Sequence, residues 1–206
     1  MELTEKHIQI LKVAEKLFAE NGFDGTSVRQ ISKEANINVA MISYYFGSKE
    51  KLLAALLYYR TSDFKIQIES VLSEMMNFLE KVDAIVALIV QRINNSRRIY
   101  KIIHFEYSNL ARKIDFENYI EGKKGNFKLI ETFIKEGQVA GVFSKNVNIP
   151  LIAPTILGTY FNFYYNKRFF QEMHDLEGEQ SFDDYIHNIL TPHIQRTIKA
   201  LLTYED

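Results

Sequence analysis

Helix breakers are scarce in this chain. Three prolines (Pro150, Pro154 and Pro192) and nine glycines serve 206 residues. A many-turned β fold needs turn residues roughly every 8–12 positions. No stretch shows the strict apolar–polar alternation of a half-buried strand. Apolar residues recur instead at helical spacing, as at Ile8, Leu11, Ala14 and Leu17–Phe18. The expected fold class is therefore all-α.

The punctuation divides the helices. The first covers 4–21 and stops at Asn21-Gly22, both tolerant of left-handed backbone. A second opens at Thr26 or Ser27, where Ser27 and Gln30 have capping-box spacing. It ends near Asn36, a residue that visits the left-handed region readily. Asn38 caps a third helix, with Ile42 and Phe46 turned inward, and Gly47 breaks it. Ser48 caps the next, which reads as one long helix over 48–79. Further helices are expected over 82–94, 97–113, 126–137, 150–174 and 182–203. Residues 115–125 read as partly looped, the second half of 137–148 as a loop, and 177–181 as a separator. Residues 146–166 carry no charge, but their Asn, Pro, Thr and Gly content reads as a loop entering a buried helix, not a membrane span.

Several function classes drop out early. Without cysteine there is no disulfide framework, thiolate metal site or cysteine nucleophile, which fits a reducing cytoplasm. His7, His104, His174, His187 and His193 include no i, i+4 pair to hold a metal on one helix face. There is no Gly-rich phosphate loop and no nucleophile elbow. Neither an enzyme nor a bound cofactor is expected.

The informative segment is 26–46, two short capped helices joined by the tight turn Ala35-Asn36-Ile37. This is helix-turn-helix spacing, and the second helix is short enough to enter a major groove. Thr26 and Ser27 lie at a helix start, where free N–H groups favour an anion. Tyr44 and Tyr45 offer hydroxyls. Lys49 opposes its helix dipole, as a residue facing a phosphate would. The net charge of −1 hides a local excess, since residues 25–60 hold five basic and two acidic side chains. So modest a patch implies few phosphate contacts per subunit.

The residues Ala14-x-x-Leu17-Phe18-x-x-x-Gly22-Phe23-x-Gly25-Thr26-Ser27-Val28-x-x-Ile31, then Ala35-Asn36-Ile37, then Ile42-Ser43-Tyr44-Tyr45-Phe46-Gly47-Ser48-Lys49-Glu50-Lys51-Leu52-Leu53 resemble the N-terminal domain of TetR-family transcriptional regulators. The resemblance implies a DNA-binding domain over 1–47 and an effector-binding and dimerisation domain over 48–206, of about nine helices. It implies that residues matching Thr26, Ser27, Arg29, Tyr44, Tyr45 and Lys49 contact or adjoin the DNA backbone. Those matching Val39, Ala40, Met41 and Ser43 face base edges. Asn36 stands where the family usually has Gly, and Ser43 where an aromatic is frequent. Val39, Ala40 and Met41 can touch thymine methyls but form no bidentate hydrogen bonds, so Arg29, Ser43 and DNA shape should carry much of the specificity.

Beyond residue 60 no chemical motif stands out. Residues 160–170 hold seven aromatics, enough for a bulky dry interior. His104, Tyr107 and Asn162 are polar groups on apolar stretches. With Phe133, Phe161 and Tyr165 they are the candidates for lining an effector pocket. The resemblance implies a homodimer through the last two helices, double-stranded operator DNA and a small lipophilic or aromatic effector as partners, and a repressor in the cytoplasm. The apolar Val39-Ala40-Met41 tip leaves open a second reading, a helical small-molecule or partner-binding module whose helix-turn-helix is vestigial.

Overall fold

Apolar stripes at 3.6-residue spacing set the architecture of the computed structural model, which describes residues 3–107 and 116–204, except the side chain of Tyr107. Among them are twelve α-helices, a five-residue π turn and no strand. The order is α1 (Glu5–Asn21), α2 (Val28–Glu34), α3 (Val39–Phe46), α4 (Lys49–Thr61), α5 (Phe64–Ser73), α6 (Phe78–Asn95), α7 (Arg97–Tyr107), α8 (Glu117–Val139), α9 (Ile149–Tyr165), α10 (Lys167–Met173), α11 (Gly178–Tyr185), the π turn (Ile186–Leu190) and α12 (Thr191–Thr203). No described helix is long and apolar enough to cross a membrane, and the uncharged stretch 146–166 enters α9.

The chain packs as two compact units, residues 1–65 with 96–125, and residues 66–95 with 126–206. The units are drawn differently from the functional division at 47/48. The first joins α4 and α7 to the first three helices. Its core is the inner stripe of α1 (Ile10, Leu11, Ala14, Phe18), with Ile31, Ile42 and Phe46, Leu52, Leu53, Leu56 and Leu57 of α4, and Ile99 and Ile102 of α7. Burying such side chains stabilises by about 1.5–3 kcal/mol each before entropy is subtracted. Glu15 of α1, 9% exposed, holds Arg60 of α4 through Nη2 at 2.6 Å and Nε at 2.7 Å.

The second unit is built on α6, whose Val82, Ile85, Val86, Val90 and Ile93 are buried. Against it lies α12, tied by Lys199 Nζ to Asp83 Oδ2 at 2.7 Å and by the Gln195 amide to the Asp83 carbonyl at 2.9 Å. Tyr160 of α9 is fully buried and donates to Asn94 Oδ1 at 2.8 Å. Phe163 stacks on Phe182 and Tyr185 at 5.0 and 5.3 Å.

The expected single helix over 48–79 is three pieces. Near Thr61–Ser62 the hydroxyls of both residues bond carbonyls one turn back, offering the backbone an alternative to continuing the helix. Asn77 then starts α6 with a capping box. Its Oδ1 accepts from the Glu80 N–H, and its own N–H donates to the Glu80 carboxylate, both at 2.9 Å. Helix α6 thus begins at 78, not 82. Gly122 and Gly125, read as loop signals, lie inside α8, which begins at 117. The described part of α7 ends at 107, and the expected remainder falls outside the described residues. The expected helix 150–174 breaks at Asn166, whose φ of −97° and ψ of 25° end α9. The expected separator 177–181 is the first turn of α11. Before α12 the helix widens into the π turn. Pro192 has no N–H to continue an α ladder, and Thr191 Oγ1 donates to the Ile186 carbonyl at 2.8 Å.

Removing one partner of the Glu15–Arg60 pair strands a largely buried charge. Arg60→Met is expected to lower unfolding free energy by about 2–3 kcal/mol, and adding Glu15→Gln should recover most of it. Urea denaturation of both variants checks this.

Candidate nucleic-acid interface

The turn between α1 and α2 positions everything after it. A helix leaves its last carbonyls without internal partners, so each must be met from elsewhere. Here the Phe18 carbonyl accepts from the Gly22 N–H at 3.0 Å, with Gly22 at φ 73° as the helix stop. Thr26 Oγ1 lies within reach of the Gly22 and Leu17 carbonyls, at 2.8 and 3.0 Å. Lys49 Nζ donates to the Phe23 and Thr26 carbonyls, both at 2.9 Å, and sits 4.2 Å from the centre of the Phe23 ring. Lys101 Nζ, from α7, donates to the Ala19 carbonyl at 3.0 Å. At Gly25 a Cβ would fall 2.2 Å from the Asn21 carbonyl oxygen, so the turn closes only on glycine.

Two residues expected against phosphate therefore have other tasks. Thr26 is fully buried, and its hydroxyl is committed to the turn. The Lys49 ammonium is held by carbonyls and a ring, which offset the cost of a cation in the first turn of α4.

The two-helix element follows the expected caps. Ser27 Oγ accepts from the Gln30 N–H at 3.2 Å, and the Ser27 N–H donates to Gln30 Oε1 at 2.7 Å. Asn36 has φ 50° in the turn, doing what a glycine would. Gln9 of α1 donates to the Ala35 carbonyl at 2.8 Å and pins that turn. Asn38 Oδ1 accepts from the Ala40 N–H at 2.9 Å to start α3, and Gly47, at φ 82°, ends it. Ile42 and Phe46 anchor α3 in the core. Its other side leaves Val39, Ala40, Ser43 and Tyr44 exposed, with Met41 and Tyr45 half-buried. Tyr44 is 83% exposed. Tyr45 rests edge-on against His7, ring centres 4.6 Å apart. Arg29 on α2 and Ser27 at its start are exposed too. The structure thus gathers Ser27, Arg29, Val39, Ala40, Ser43 and Tyr44 as exposed groups of the element. Gln9 and Lys101 carry no local sequence signal, since their carbonyl partners lie 26 and 82 residues away.

The effector candidates do not assemble into one site. Phe133 is buried against Phe78 and Phe143, all three ring pairs 5.6–5.7 Å apart. It is core, and Gly137 leaves the room that Phe143 fills. Phe161 stacks on Tyr165 at 5.6 Å along α9. Burial and the neighbouring Tyr164 push the Tyr165 phenol above its ordinary range. His104 is exposed on α7, and the Tyr107 side chain lies outside the described residues. Only Asn162 lines the cavity of about 610 Å³ in the second unit, an open groove formed by α9, α10, the π turn and α12 with Gly158, Phe163, Tyr185, His193 and Arg196.

The Thr26 geometry yields a stability test. Thr26→Val keeps the shape and strands two carbonyls, so a loss of about 1–3 kcal/mol is expected in chemical denaturation, whereas Thr26→Ser should cost less.

Residues 10–56 match the family model described as bacterial regulatory proteins, tetR family. The chain is 33% identical over 135 residues to the probable HTH-type transcriptional regulator YttP of Bacillus subtilis (strain 168), an alignment spanning 63% of each protein. Its fold is similar to FadR of Bacillus halodurans, with TM-score 0.77 and 20% identity over 97% of both chains. It is also similar to FadR of Bacillus subtilis in complex with stearoyl-CoA, with TM-score 0.73 and 19% identity over 95% of this chain and 98% of that one. With the capped helix pair, its left-handed Asn36 and the exposed face of α3 in place, the chain belongs to the tetR family of bacterial regulatory proteins.

Proposed function

We propose that this protein is a homodimeric repressor that binds operator DNA through α3 and is released by a small lipophilic effector. The observation that carries the reading is the unspent outer face of α3, an eight-residue helix anchored by Ile42 and Phe46 and exposing Val39, Ala40, Ser43 and Tyr44. Such a helix fits a groove about 12 Å wide. Ser27, Arg29 and Tyr44 flank it as backbone contacts. Lys49 and Thr26 support the DNA-contacting residues by holding the turn.

The dimer is proposed through the last helices. Leu151, Phe169, Met173, Ile189 and Leu201 are exposed on α9, α10, the π turn and α12, around the groove lined by Asn162 and Arg196. A second copy covers this face, and two recognition helices then meet successive major grooves about 34 Å apart. An effector acts only through its different affinity for the two spacings of those helices. The bound stearoyl-CoA of the similar FadR structure makes a long-chain acyl-CoA the first effector to try.

Fluorescence anisotropy with the DNA upstream of the protein's own gene tests the reading. Selective, salt-dependent binding that weakens on adding stearoyl-CoA is expected. The absence of any selective binding overturns the DNA reading and favours a vestigial helix-turn-helix. Arg29→Gln should reduce the slope of log K against log salt by about one unit. The double variant Ile189→Glu, Leu201→Glu alters exposed positions only, and sedimentation should show it at half the wild-type mass.

A further inference from the structure

We propose that Lys101 is a positioning residue for DNA binding, holding the end of α1 and through it the turn that places α2 and α3. The inference rests on the DNA reading under Proposed function. Lys101 lies on α7, far along the sequence from the helix-turn-helix, yet α7 packs in the same compact unit. Ile99 and Ile102 of α7 are buried with the α1 stripe, which fixes the level at which α7 meets α1. From there the Lys101 ammonium reaches the Ala19 carbonyl at 3.0 Å. Helix α1 has no basic residue in its own last turn, so this cation from another helix meets the negative end of its dipole.

The placement matters because Ala19 leads directly into the turn. Within seven residues the chain passes Gly22, Phe23, Gly25 and Thr26, whose carbonyls and amides are joined by the Thr26 hydroxyl and Lys49. Ser27 then caps α2. The turn is thus held from two sides, by Lys49 of α4 beyond Phe23 and by Lys101 of α7 before it. Loosening the grip at Ala19 lets the end of α1 fray and shifts the start of α2 relative to the core. The lysine need not touch DNA to matter for binding it.

A direct phosphate contact and a positioning role differ in their salt dependence. Removing a phosphate contact lowers the salt slope by about one unit, whereas removing a positioning residue lowers affinity at every salt concentration and leaves the slope alone. The variants are Lys101→Met, which keeps the aliphatic stem, and Lys101→Arg, which keeps the charge. In Lys101→Met, affinity for the upstream DNA should fall about three- to fivefold with an unchanged slope, at a temperature where circular dichroism shows the variant fully folded. Amide exchange over residues 19–26 should quicken while exchange in α12 stays as in wild type, and Lys101→Arg should restore both. A slope lowered by one unit overturns the proposal in favour of direct contact. Wild-type exchange and affinity in Lys101→Met, or no rescue by Lys101→Arg, also overturn it. Exchange needs no DNA, so failure of the wild-type chain to bind its upstream sequence would overturn the DNA reading alone.

Discussion

Everything at the DNA-facing end depends on how the open carbonyls at the end of α1 are satisfied. A lone helix would leave them to water. In this chain they are taken up by the Gly22 N–H, the Thr26 hydroxyl and two lysine ammonium groups arriving from α4 and α7. The result is a rigid joint in place of a flexible link, and the next two short helices inherit their orientation from it. Neither could hold one alone, because isolated helices of seven or eight residues are too short to be stable in water.

Local chemistry made the helix-turn-helix legible. Caps at Ser27, Asn38 and Ser48, the left-handed Asn36 and the stop at Gly47 each act within four residues, so the sequence alone shows them. The roles of Thr26 and Lys49 were not legible. A hydroxyl or ammonium at a helix start reads the same whether it faces a phosphate or a carbonyl, and only the folded turn decides. The long helix over 48–79 failed for a related reason. Its interruptions use Thr61, Ser62 and Asn77, which tolerate helix until a nearby backbone group offers a better bond. Gly122 and Gly125 misled in the other direction, since packing of α8 outweighs the roughly 1 kcal/mol that each glycine costs.

The aromatic wealth of residues 160–170 serves two ends that composition cannot separate. Tyr160 and Phe163 are buried, one bonded to Asn94 and the other stacked between α10 and α11. Tyr165 and Phe169 stand out from the surface at 44% and 57% exposure. Helical spacing sorts them into faces, but which face meets the core depends on α6, α11 and α12, brought in from distant sequence.

The π turn ahead of α12 fixes a rotational phase. Each residue of an α-helix advances the direction of its side chain by about 100°. A helix that widens for one turn accommodates a residue that a regular helix would have to place elsewhere. Ile194, Ile198 and Leu202 reach the core, and Lys199 reaches Asp83, in the phase set by Ile186–Leu190. Deleting a single residue from that turn would swing the whole stripe about a quarter-turn around the helix axis, carrying the three apolar side chains off the core. Five residues of irregular helix thus decide which side of α12 is inside and which is surface.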